Sequence, residues 1–134
     1  MSDAPNEHLR SHPQPMAAPY LEFNIARERE QLHRDAGWQS GQNAKTLVKY
    51  DRLRIVLIAW QARSKMPEHH TEAHISIQTV VGHIRVRAQG RSFELRSGGL
   101  HALDEGSPHD VEAVEESALL LTIAWPGDKD RSVP

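Results

Sequence analysis

From Gly41 onward the chain carries turn chemistry about every eight to twelve residues, the cadence of many short strands rather than of helices. Gln89-Gly90 separates two alternating runs, as a tight hairpin does, and Ser97-Gly98-Gly99 and Asp104-Glu105-Gly106-Ser107-Pro108 are clear breaks. Between breaks the period is two: Ile84-Arg85-Val86-Arg87 alternates apolar with charged, as a half-buried antiparallel strand does. The pattern predicts strands over residues 45–50, 53–62, 74–81, 83–88, 91–96, 99–103, 109–114 and 118–125. Short strands in even spacing close into a sandwich or a small barrel, so the fold class is all-β.

One run breaks the alternation. Arg54-Ile55-Val56-Leu57-Ile58-Ala59-Trp60 is apolar on both faces after its first residue, so it needs cover on both sides. One side is the barrel core. The other side calls for a helix, a second sheet or a partner subunit, and a homodimer through residues 45–62 is expected. Leu21 to Ala36 reads as a helix, with Ile25, Leu32 and Ala36 on one face, Asn24 as N-cap and Gly37 at the C-terminal end. Glu30 and Arg34 form an i,i+4 pair on it. Residues 1–20 hold four of the eight prolines and read as a flexible arm. The expected layout is an arm over 1–20, a short helix and connector over 21–40, a barrel over 41–126 and a tail over 127–134.

Composition removes several function classes. The 134 residues suit one domain with one core. A net charge of −2 with no basic run argues against nucleic acid or an anionic membrane as partner. No cysteine means no disulfide, no thiolate metal site and no cysteine nucleophile. The N-terminus has no apolar segment of signal-peptide length, and the run from Ile55 to Trp60 is far too short to span a bilayer, so the expected location is the cytoplasm. No phosphate-cradling glycine loop and no defensible Ser-His-Asp spacing is present.

What remains is histidine. Pro67-Glu68-His69-His70-Thr71-Glu72-Ala73-His74 holds three histidines and two glutamates, and His109 follows Ser107-Pro108 at the start of a predicted strand. Gly98, Asp104, Gly106 and His109 stand at the spacing Gly-x5-Asp-x-Gly-x2-His. That spacing resembles the second motif of the cupin superfamily, with Asp104 in its proline slot and Ala113 in its asparagine slot. The resemblance extends over about residues 44–125. It implies a small double-stranded β-helix barrel, preceded here by a short helix.

The first cupin motif is depleted. Counted back from Gly82 as its closing glycine, the glutamate slot falls on Ile75, the paired-histidine slots on His69 and Thr71, and the opening glycine slot on Arg63. A one-residue slip would instead bring His74, His70 and Glu72 into the ligand slots, at the cost of turning Ile75 and Ile77 outward. The resemblance implies a divalent transition metal (Zn, Ni, Mn or Fe) on His69, His109 and a third donor. His74 is the expected third donor, with His70 and Glu72 as alternates. Gln78, His101 and Trp60 are the residues expected to line a ligand pocket, with His101 a structural or outward histidine rather than a metal ligand. The expected function is binding of a small molecule in the barrel, with a metal-dependent dioxygenase or isomerase as the alternative.

Overall fold

The computed structural model describes residues 16–127. Helix α1 (Ile25–Arg34) leads into a 3-10 turn (Ala36–Ser40). The strands are β1 (Gln42–Lys49), β2 (Leu53–Trp60), β3 (Lys65–His69), β4 (His74–Val81), β5 (His83–Ala88), β6 (Arg91–Arg96), β7 (Leu100–Leu103), β8 (His109–Ala113) and β9 (Ser117–Ala124). They form two antiparallel sheets, one in the order β1-β2-β9-β4-β7 and the other in the order β3-β8-β5-β6. The two sheets face each other as the walls of a small barrel. Ile58, Trp60, Ile75, Ile77, Ile84, Val86, Val111 and Leu119 fill the space between them.

Turn residues set the registers. Gln89 (φ 54°) and Gly90 (φ 71°) both adopt left-handed backbone, the type I′ geometry that matches strand twist and pairs Ala88 with Arg91. Gly82 (φ 102°) is the single residue between β4 and β5. A Cβ there would lie 2.3 Å from Ser117 Oγ and 2.5 Å from the Glu116 carbonyl, so no other residue fits.

The two-faced strand is covered from within the chain. Val56, Ile58 and Trp60 of β2 face the barrel core. Ile55, Leu57 and Ala59 face a second cluster formed with Leu32 of α1, Leu47 and Val48 of β1, and Trp38. The helix and β1 thus supply the cover that this face needs. Asn24 caps it as expected, its Oδ1 accepting from the Arg27 N–H, and Glu30 pairs with Arg34 at 3.5 Å. Its end differs from expectation: Asp35 is the C-cap, Gly37 lies inside the 3-10 turn, and Ala36 is exposed. Residues 16–20, the described part of the expected arm, lie along β1: the Lys49 N–H donates to the Met16 carbonyl and the Tyr50 hydroxyl to the Ala18 carbonyl. His8, His12 and most of the expected tail fall outside the described residues.

β3 is absent from the predicted strands. It carries Pro67 and pairs with β8 through an irregular register between Met66 and His69, as an edge strand with a proline does. Among the described residues, no helix is long and apolar enough to cross a membrane.

Candidate functional site

β3 and β8 bring His69 and His109 into direct cross-strand register. Their ring centroids are 4.3 Å apart. His109 is 2% exposed and His69 half-buried. Each Nδ1 lies against a main-chain carbonyl: His69 on Pro67 at 2.8 Å, His109 on Ser107 at 2.9 Å. A carbonyl oxygen only accepts, so in the neutral rings each Nδ1 carries the proton and donates, and each Nε2 keeps a free lone pair. Burial lowers the pKa of His109 below the ordinary imidazole value, with His69 adding to the effect and the Ser107 carbonyl opposing it.

The pair opens onto a cavity of about 70 Å3. Its wall is otherwise apolar, with Met66, Ile75, Ile77, Val111, Leu121 and Ile123 among its residues, and Thr71 beside the imidazoles. His69, Thr71, Ile75 and His109, the four residues that fall in the cupin ligand slots when counted from Gly82, therefore line one cavity. Arg63, in the opening glycine slot, holds φ 74°, the left-handed backbone that favours glycine. The unslipped register is the one the fold uses.

The structure does not bring His74 to this site. Ile75 and Ile77 are buried at 6% and 1%, and alternation turns His74 to the outside. There its Nδ1 lies 3.0 Å from Asp104 Oδ1, and Glu105 completes an exposed group of three potential donors. His70 and Glu72, the alternates, are exposed, and neither lines the cavity. The pocket residues divide. Gln78 lies on the outer face of its sheet, opposite Leu100 and Leu120. Trp60 is 2% exposed in the core, its Nε1 donating to Gln42 Oε1 at 2.8 Å, and does not line the cavity. His101 faces the barrel without lining the cavity: it pairs with Ile77, and its ring meets Phe93 at 4.6 Å. Burial lowers its pKa, and the nearby His109 lowers it further. Four residues of β7 were too few for alternation to assign that face from sequence. His83 is held by Glu94 at 2.6 Å, which also accepts from Arg85, and is structural.

No family model and no curated protein matches the sequence. Solved structures do match the fold. An RmlC-like cupin from Shewanella frigidimarina is similar with a TM-score of 0.66 and 19% identity, over 87% of this chain and 99% of that one. KdgF from a Halomonas species is similar with a TM-score of 0.60 and 21% identity, over 67% of this chain and 85% of that one. A salicylate 1,2-dioxygenase variant from Pseudoaminobacter salicylatoxidans gives a TM-score of 0.72 and 15% identity over 88% of this chain, which spans 41% of that dioxygenase. The chain has the cupin fold, as its second motif implied.

Proposed function

We propose that this chain is a ligand-binding cupin that takes a small molecule into the barrel beside the His69–His109 pair. The observation that carries the reading is that pair itself. Two imidazoles in register, each tied through Nδ1 to a carbonyl, present two unprotonated Nε2 atoms to one apolar cavity. Such carbonyl-bound histidines suit a divalent metal, because the second nitrogen is fixed as donor and the lone pair is held ready. In this reading His69 and His109 would hold a Zn, Ni, Mn or Fe ion through their Nε2 atoms. The metal would supply Lewis acidity toward a bound oxygen donor. The protein supplies the dry wall and the orientation of the two rings.

Ile75 weighs against the alternative, a metal-dependent dioxygenase or isomerase. Iron sites of the facial-triad kind need a carboxylate with the two histidines, and here the slot that would bear it is a hydrocarbon. A cytoplasmic location is kept in this reading, while the expected homodimer loses its sequence argument because α1 and β1 cover the outer face of β2; sedimentation velocity at micromolar concentration tests it. Elemental analysis of untagged protein tests the metal. Stoichiometric metal that is lost in His109→Ala and kept in His74→Ala supports the site. Less than about a tenth of an equivalent, unchanged after dialysis against zinc or manganese, rejects it.

A further inference from the structure

Two cross-strand rows close one end of the barrel. On one sheet Arg54, Ile123, Ile75 and Leu103 are successive partners. On the other, His69, His109, Ala88 and Arg91 are. Residues directly opposite one another in an antiparallel ladder put their side chains on the same face. Ile123, Ile75, His69 and His109 line the cavity, so Arg54 and Arg91 also leave their sheets on the barrel side, at its rim beyond the residues that line the cavity, Arg54 half-buried and Arg91 exposed.

An arginine at an inward position normally has a carboxylate partner. Arg85 and Arg87 do, through Glu94, Asp110 and Glu112. Among the described residues, neither Arg54 nor Arg91 has one. Arg91 lies over the Phe93 ring at 5.4 Å, and Arg54 over the Trp125 ring at 5.3 Å. Arg54 Nε is, moreover, the one buried side-chain nitrogen or oxygen among the described residues without a hydrogen-bond partner. A buried donor left unmet costs stability, and such a cost is tolerated where a ligand meets it.

We infer that Arg54 is the anion-binding element of the barrel and that the ligand is a short carboxylic acid. Its carboxylate sits on the Arg54 guanidinium and its hydrocarbon body lies against Ile75, Leu121 and Ile123. The planar fork of arginine matches a carboxylate in two parallel hydrogen bonds. The apolar wall offers no further donors of the kind a phosphate dianion needs. A cavity of about 70 Å3 limits the body to a few carbon atoms. The inference rests on the reading that the barrel binds a small molecule, and not on the metal.

The test uses the full chain with EDTA present, so that a metal route to the carboxylate is closed. Calorimetry compares butyrate with butyramide, which has the same shape without the charge. Butyrate is expected to bind at least tenfold more tightly. Arg54→Met is expected to weaken butyrate about tenfold to a hundredfold, the usual loss for a charge-assisted hydrogen bond, while its unliganded Tm is unchanged or higher. Arg96→Gln, the same charge change at the far end of β6, is expected to stay within twofold. Equal affinity for butyrate and butyramide, or undiminished butyrate affinity in Arg54→Met, overturns the inference and leaves cavity binding intact. Binding of neither compound overturns both. The acid-against-amide comparison needs only the unaltered chain, so equal affinities overturn the inference even where Arg54→Met fails to fold.

Discussion

Ile75→Glu puts the missing carboxylate back at the position where the fold leaves room for it, and its consequences can be worked out from the structure. Ile75 is 6% exposed and lines the cavity with Ile77, Leu121 and Ile123. Losing that burial costs about 1.5–3 kcal/mol. Placing a carboxyl in the same apolar wall adds a desolvation cost, part of which is avoided because its pKa rises, for a total of about 3–5 kcal/mol. Domains of this size lose roughly 4 °C of Tm per kcal/mol, so a fall of about 10–20 °C is expected in differential scanning calorimetry. Zinc or nickel at a hundred times its Kd returns about 2.7 kcal/mol, because the new carboxylate joins two ready imidazoles. His109→Ala on the same background removes that rescue. In the slipped register residue 75 would face outward, and the substitution would cost about 0.5 kcal/mol or less with no metal response. A Tm within about 2 °C of the parent, or a metal effect indifferent to His109, would refute the placement of this slot.

Three further outcomes follow from the same geometry. Arg63→Gly relieves left-handed strain of about 1–2 kcal/mol against a glycine entropy cost of about 0.5–1 kcal/mol, so urea unfolding should show equal or higher stability, against the usual loss for a glycine substitution. Gly82→Ala drives a Cβ into Ser117 Oγ and the Glu116 carbonyl and disturbs the Ser117 bonds to His83, for an expected loss of about 3 kcal/mol or more by the same measurement. His109 and His101 both have pKa values below the 6.5 of a free imidazole, so the unfolded chain takes up protons first as pH falls. Their contribution is therefore whole above about pH 6.5 and is lost below it. Tm should drop between pH 7 and 5, by less in His109→Asn, whereas the Glu94 carboxylate, held below the usual carboxylate range by Arg85 and His83, acts only at more acid pH.

Where local chemistry and packing agree, the sequence was legible. β4, β5 and β6 begin and end where the turn residues and the period of two put them. β3 was hidden because Lys65-Met66-Pro67-Glu68-His69 has a proline, two charges and no alternation, and it is a strand only because β8 offers it an edge. That hidden strand delivers His69. The dense histidines beside that strand include His74, which the burial of Ile75 and Ile77 turns away from the cavity. Arg54 left no trace in the sequence, since its inward face depends on register with Ile123, almost seventy residues on.

The backbone and the chemistry of the motif have separated in this chain. The turn slots are kept in conformation: Gly82 and Gly106 have positive φ, and so does Arg63, which is not a glycine. Such a backbone persists only where surrounding pairing over-determines it. Here the Arg63 N–H is fixed to the Ala113 carbonyl and the Ala113 N–H to the Ser64 carbonyl, next to the β3–β8 ladder. The ligand slots, by contrast, lie at residues whose side chains end in the cavity, where exchange costs little as long as volume and satisfaction are kept. Threonine and isoleucine now occupy two of them. An apolar wall lowers the local dielectric and strengthens the contacts that the two Nε2 atoms make. On the reading proposed above, the barrel exchanges coordinating power for selective binding of a small apolar acid. The two terms can be measured separately, through Arg54 for the acid and His109 for the metal.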